Sequence, residues 1–411
     1  MKMLSNWSNA IAHVDCDAFY ASCEAARHPE LKGSAICVLS SQDAIVVAKS
    51  YAAKALGVTT GMPVWEAKKI APQVVCLAAD FRYYGQVSGK LFAILRRYSP
   101  DVEVYSIDEG FMDMSAVPAL WHQSFQQLAD EIRLTIACET GITASVGIAT
   151  TRTLAKMASE SNKPNGTMVV RFSQIVPFLH GIAVSDIPGI GRNRAAQLNR
   201  FNIHTALEFS RMDELLMQQL LGRSGMVLKQ ELTGFPVLGI ETEPPLPKSV
   251  SRTASMGQQV QLREVVSAHL SYHTMRLVSE LVAKQLLARH IHLFLTLASY
   301  EKRTSNVCLD VPTNSLKRIT IAVRQGMKQM FRRGESYRAC GVVATRISSS
   351  HSQTPDLFGL TGEDERQTEL MSVVNRINKK YGTGSVSLAA VRLIKQKKIR
   401  PRFQYPLLIA H

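Results

Sequence analysis

The 411-residue chain carries 48 Lys and Arg against 33 Asp and Glu, a formal net charge of +15, with 46% hydrophobic and 7% aromatic residues. That length allows two to four domains with cores of their own, and the absence of any run of 18 apolar residues excludes an expected helical membrane span. MKMLSNWSNA lacks the apolar centre of a signal peptide, and seven scattered cysteines without C-x-x-C spacing read as reduced thiols of a cytoplasmic protein, neither a disulfide framework nor a zinc site.

Short buried strands are expected at residues 11–15, 34–39 and 44–48. Helical patterns follow at 51–56 and Val64–Ile70, the second opened by Pro63. Phe81–Tyr98 is a longer amphipathic helix, stopped by Ser99-Pro100. Residues 102–106 and 110–114 read as paired strands flanking Ile107-Asp108-Glu109. A helix near 124–138 and a strand at 143–148 complete an α+β unit.

A second unit is expected after Phe178. Ile187-Pro188-Gly189-Ile190-Gly191 is a tight turn leading into a helix at 193–201. It matches a helix-hairpin-helix, where backbone N–H groups at Gly189 and Gly191 can hold a DNA phosphate; taken alone it is only a turn. Glu243-Pro244-Pro245-Leu246-Pro247 is a stiff linker. A third unit then reads as strand 249–256, helix 262–287, a hairpin of 291–298 with 306–311, helix 315–331 and strand 338–347. The order βαββαβ is that of a split-βαβ sandwich. From Pro244 to Ser350 there are 16 basic and 5 acidic residues, which suits a polyanionic partner because each neutralised phosphate releases counterions. A generic sandwich with a solvated basic face is the competing reading.

Two acidic clusters interrupt apolar strand sequence: Val14-Asp15-Cys16-Asp17-Ala18-Phe19-Tyr20 and Tyr105-Ser106-Ile107-Asp108-Glu109-Gly110-Phe111. A carboxylate at the end of a buried strand is costly unless paired or bound to a cation. Asp and Glu oxygens are hard ligands suited to Mg²⁺, and two such ions can serve in-line displacement at phosphorus, in a polymerase or in a nuclease. Strand alternation puts Asp15 and Asp17 on one face with Cys16 on the other. Asp108 and Glu109 can share a metal only if the chain bends there, which Gly110 would permit.

These residues resemble the Y-family DNA polymerases. DCDAFYASCE at 15–24 is similar to the family's first motif and SIDEGF at 106–111 to its second. SYAAKALGVTTGMPVWEAKKIAP at 50–72 resembles its fingers segment, and SVGIATTRTLAKMASESNKPNG at 145–166 the end of its palm. The resemblance runs over nearly the whole chain in the family's order. It implies an α+β multidomain, right-hand polymerase: palm at 1–18 and 81–170, small fingers at 19–80, helical helix-hairpin-helix thumb at 171–242, linker at 243–247, and βαββαβ little finger at 248–350. Residues 351–411 would hold a clamp-binding peptide and C-terminal tail.

The implied activity is error-prone translesion DNA synthesis with two Mg²⁺ ions. The metal ligands carry over to Asp15, Asp108 and Glu109 with the Cys16 carbonyl, which leaves Asp17 a structural acid against the alternation argument. Tyr20 matches the steric gate that excludes a 2′-OH, Phe19 the residue beside the same sugar, and Tyr51, Lys54 and Lys163 the triphosphate-binding positions. Lys54 stands where Arg is frequent, so a bidentate phosphate contact is lost. Lys156 is assigned to structure.

Residues 332–347 and 370–390 resemble the UmuC branch, the catalytic subunit of bacterial polymerase V, whereas the region 41–49 and VWEAKKIAP depart from it. Gln353-Thr354-Pro355-Asp356-Leu357-Phe358 resembles a sliding-clamp-binding peptide, with Leu357 and Phe358 seated in a pocket and Gln353 hydrogen-bonded beside it. Expected partners are primer-template DNA, dNTP and the clamp, with a UmuD-type dimer and RecA if the branch holds. A non-catalytic, clamp-binding repair scaffold of the same fold is the alternative.

Overall fold

The computed structural model describes residues 7, 9–40, 44–117, 123–352 and 362–394. They divide into two compact units, one ending at Glu243 and one beginning at Pro244.

The first unit is organised by a five-stranded sheet, ordered β5-β6-β1-β7-β8. These strands are β1 (Ile11–Cys16), β5 (Val102–Val104), β6 (Glu109–Asp113), β7 (Ala144–Ala149) and β8 (Thr167–Val170). β1 lies in the centre, antiparallel to β6 on one side and to β7 on the other. Its side chains alternate as a pleated strand requires. Ala12, Val14 and Cys16 enter a core shared with helices Phe81–Tyr98 and Phe125–Thr140. Ile11, His13 and Asp15 fall on the opposite face.

Both helices carry their boundaries in sequence. Asp80 caps the first by accepting from the Tyr83 N–H at 3.1 Å, and its apolar face repeats at three- and four-residue spacing through Tyr84, Val87, Leu91 and Leu95. Ser124 and Gln127 form a capping box on the second, and Gly141, at φ 73°, closes it in the left-handed conformation.

The other sheet face is covered by helix Arg152–Ser161, which expectation did not mark out. It lies unusually close to β7. A Cβ on Gly147 would stand 2.2 Å from the Ala155 carbonyl oxygen and 2.3 Å from the Ser159 nitrogen, so only glycine permits this packing.

A smaller sheet joins β2 (Ile36–Leu39), β3 (Val46–Lys49) and β4 (Val75–Ala78) in the order β3-β2-β4. β4 was not anticipated; it pairs parallel to β2. Helices Tyr51–Ala55 and Val64–Ile70 accompany it. The remainder of this unit is helical, with the turn at residues 187–191 leading into helix Arg192–Asn199. These helices continue one core with helix Arg152–Ser161, through Leu154, Ala158, Ile187, Leu198, Phe209 and Leu232. The buried Glu231 carboxylate accepts N–H bonds from Thr153, Val237 and Leu238 at 2.7–3.1 Å.

The second unit contains β9 (Ser249–Val260), β10 (Leu286–Leu297), β11 (Lys302–Thr313) and β12 (Tyr337–Ser349), ordered β11-β10-β12-β9 and antiparallel throughout. Each crossover helix, Arg263–Ala283 and Leu316–Met330, joins strands that have one other strand between them, the split-βαβ arrangement expected. The expected helix to residue 287 is too long. Gln285 takes a left-handed φ of 53°, and Leu286 and Leu287 belong to β10. Helix Gly362–Tyr381 adds Met371 and Val374 to this core. Gln353, Leu357 and Phe358 lie outside the described residues, as do the basic residues from Lys395 onward.

Candidate active site

The site forms where β1 and β6 end side by side. Asp15 is the cross-strand partner of Glu109. One residue on, the Cys16 N–H donates to the Asp108 carbonyl at 2.9 Å. Asp108 sits in the bend before β6, and the bend is organised by Ser106. The Ser106 hydroxyl oxygen accepts from the N–H groups of Asp108 and Glu109 at 3.2 Å each, and its proton goes to Asp108 Oδ1 at 2.5 Å. That bend lets two sequence neighbours both present carboxylates. Gly110 is not the bend; it lies within β6, where its missing side chain admits the Phe92 ring.

Alternation explains Cys16: its thiol is buried in the core, so only its backbone can reach the site. Asp17 would share Asp15's face if the strand continued, but β1 stops at Cys16 and Ala18 turns the chain in a left-handed conformation, φ 46°. Asp17 is thereby buried, accepting from Ser145 Oγ at 2.9 Å and the Asn165 N–H at 2.8 Å. The same turn starts helix Phe19–Arg27 over the strand end. Tyr20 stacks on Tyr84 at 4.6 Å and meets Phe81 edge-on at 5.7 Å. Phe19, 3% exposed, is largely a core residue.

A cleft of about 330 Å³ opens here, lined by Asp15, Cys16, Phe19, Tyr20, Asp108 and, from the smaller sheet, Val47 and Lys49. Lys49, which was not singled out beforehand, donates to Thr60 at 3.0 Å. Lys54 is exposed and outside this lining, with its ammonium 5.9 Å from the Tyr51 ring centre. Burial, followed by the charges of Asp17 and Asp15, pushes the Tyr51 hydroxyl up to about 12.

Ammonium groups meet the carboxylates directly. Lys163 lies 2.8 Å from Asp15, and Lys156 is paired with Glu109. Burial lifts the Asp15 carboxyl to about 6 even against Lys163, with Glu109 and Asp108 adding repulsion. For Glu109 burial also opposes ionisation, but hydrogen bonds from His13 and Lys156 outweigh it and hold the carboxyl at about 2. His13 is driven down to about 4, chiefly by burial. His13 carries no distinguishing signal in the sequence, and Lys156, expected to serve structure, here meets a candidate ligand. Ligand atoms of His13, Asp15 and Glu109 all lie within 4.8 Å of one another. Both His13 nitrogens already face partners, Glu109 at 3.1 Å and Ser159 at 2.7 Å, which leaves the carboxylates as the available ligands.

Residues 14–160 match the model of the impB/mucB/samB family, and residues 247–357 match that family's C-terminal domain. The chain belongs to this family of Y-family DNA polymerases. DNA polymerase IV of Desulfatibacillum aliphaticivorans is 31% identical over 93% of the chain and 97% of the relative. DNA polymerase IV 1 of Bacillus subtilis is 30% identical over 96% and 95%. Protein UmuC of Salmonella typhimurium is likewise 30% identical, over 95% and 97%. Both names therefore occur among similar relatives, and the UmuC branch is not separated from polymerase IV by identity. A Dbh–Dpo4–Dbh Y-family DNA polymerase chimera superposes with a TM-score of 0.70 over 82% of the chain and 99% of its own, at 23% identity. The expected α+β right-hand fold is thus borne out. Among the described residues, no helix of this polymerase is long and apolar enough to cross a membrane.

Proposed function

We propose that this Y-family polymerase extends a primer 3′-OH past damaged template bases, with Asp15, Asp108, Glu109 and the Cys16 carbonyl holding two Mg²⁺ ions. The observation that carries the reading is the meeting of Asp15 and Glu109 across β1 and β6, with Asp108 on the adjoining bend. The donor set fits the metal: these are hard oxygen ligands, and a cation would offset both the burial that raises the Asp15 carboxyl and the lesser repulsion from Glu109 and Asp108. When bound, the ions supply charge stabilisation at the attacking hydroxyl and the departing pyrophosphate.

The chain's own groups do the rest. Lys163 and Lys156, now paired with Asp15 and Glu109, would turn toward triphosphate oxygens, and Tyr51 with the exposed Lys54 beside it would bind them from the smaller sheet's helix. Tyr20, backed by Tyr84 and Phe81, is the gate against a 2′-OH. Phe19 supports that ring from the core. Gly189 and Gly191 offer backbone N–H groups to a DNA phosphate. The open face of the second unit's sheet, with His292, Phe294 and Lys302, lies along nucleic-acid backbone.

The palm, fingers, thumb and little finger take the boundaries given above. Residues 353–358 bind the sliding clamp; a UmuD-type dimer and RecA are partners if the protein acts as UmuC does. A non-catalytic scaffold would not need three intact carboxylates at one strand end, and a nuclease would not need Tyr20 over the cleft. Primer extension with one labelled dNTP separates the three readings. Longer product is expected, and its loss in Asp108→Ala with DNA affinity retained. Shortened or unchanged primer from the native polymerase overturns the proposal.

A further inference from the structure

Glu109 differs from the other two carboxylates in being backed by a buried relay. His13 is wholly buried on β1 at 0% exposure, its ring 4.6 Å from that of Phe111. Its Nε2 lies 3.1 Å from Glu109 Oε2 and its Nδ1 2.7 Å from Ser159 Oγ. An ionised carboxylate only accepts, so the proton of the neutral ring is on Nε2 and is donated to Glu109. Nδ1 is then an acceptor. The single Ser159 proton therefore goes to His13, although the Lys156 carbonyl is also within 2.8 Å. Ser159 thus sets the tautomer. It can do so because Gly147, the strand partner of His13, lets helix Arg152–Ser161 settle onto β7.

Lys156 donates to the same oxygen, Oε2. Among the described residues no donor is directed at Glu109 Oε1. We propose that His13, oriented by Ser159, is a positioning residue that holds Glu109 Oε2 and so presents Oε1 as the metal-binding oxygen. This rests on the reading of Glu109 as a metal ligand. The two donors to Oε2 are not equivalent. A cation repels the Lys156 ammonium, whose side chain is long and 17% exposed, whereas a neutral imidazole fixed on the central strand is neither repelled nor free to leave. Such partners behind a ligand commonly contribute 10–100-fold in metal affinity.

The test is Mn²⁺ binding to the full-length polymerase, with free Mn²⁺ read from its paramagnetic resonance signal and melting followed in parallel. His13→Phe keeps a ring and removes both nitrogens; His13→Gln restores an N–H donor near Nε2; Ser159→Ala removes one hydroxyl. Affinity is expected to fall about 10–100-fold in His13→Phe, to fall by less in Ser159→Ala, and to recover in His13→Gln. Should His13→Phe not fold, Ser159→Ala decides. Native affinity in Ser159→Ala and in any folded His13→Phe overturns the positioning role. Native affinity in Glu109→Gln overturns instead the ligand reading on which it rests.

Discussion

Gly147→Ala tests whether the close contact between helix Arg152–Ser161 and β7 builds the active site. The added Cβ would lie 2.2 Å from the Ala155 oxygen, 2.3 Å from the Ser159 nitrogen and 2.9 Å from the Ala158 carbonyl carbon. All three are backbone atoms, so no side chain can swing aside. Restoring ordinary contact requires the helix to withdraw by about 1 Å, and overpacking of this kind costs roughly 1–3 kcal/mol. The upper end is expected, because a whole helix must move. The same helix carries Lys156 to Glu109 and Ser159 to His13. A misplacement of about 1 Å in groups that position a reaction can lower the rate on the order of 100-fold. Urea unfolding should show an earlier first transition, and primer extension under conditions where the variant is folded should be slowed by that order. An unchanged transition together with an unchanged rate would refute the packing argument and the positioning that follows from it.

Tyr20→Ala should admit ribonucleotides, measured as the ratio of rNTP to dNTP incorporation; unchanged discrimination removes the gate role. The two shifted carboxyls have opposite signs in pH linkage. Asp15, raised from 3.8 to about 6, contributes stability when protonated, which is complete below 3.8 and lost as pH rises through 6. Glu109, depressed from 4.5 to about 2, contributes stability above 4.5 that is lost as pH falls through 2. Metal binding needs Asp15 ionised, so activity at limiting Mg²⁺ should fall below pH 6, and excess Mg²⁺ should move that limb to lower pH. An acid limb indifferent to Mg²⁺ would count against Asp15 as a ligand.

Much of the fold could be read from local signals. Phe81–Tyr98 and Val64–Ile70 were legible to the residue because a clear apolar period is bounded by Ser99-Pro100 in one and opened by Pro63 in the other. Helix Arg152–Ser161 carries only two large apolar residues, Leu154 and Met157, on a buried face otherwise made of Thr153, Ala155, Ala158 and Ser159, so its apolar period is weakly marked in the sequence. Val75–Ala78 is four residues long and exists through pairing with a strand almost forty positions earlier, which no local pattern reports. At residues 283–287, Ala-Lys-Gln-Leu-Leu, the apolar positions of the helix run on into those of the next strand, and the left-handed turn at Gln285 decides the boundary.

The site was legible in its acidic members and not in its supports. Asp15, Asp108 and Glu109 stand out as charges in apolar strands, and Asp17 looks equivalent to Asp15 until the turn at Ala18 is known. His13 has no such contrast. Within Ile11-Ala12-His13-Val14 it reads as a core residue, which it is, and its hydrogen bond to Glu109 depends on a register between segments 96 positions apart.

The most direct measurement is anomalous diffraction from crystals of the polymerase with primer-template DNA, a non-hydrolysable dNTP and Mn²⁺. Two peaks are predicted, both bounded by oxygens of Asp15, Asp108 and Glu109, with Cys16 contributing its carbonyl to one. Mn²⁺ bound away from these side chains in a complex that contains nucleotide would contradict the account.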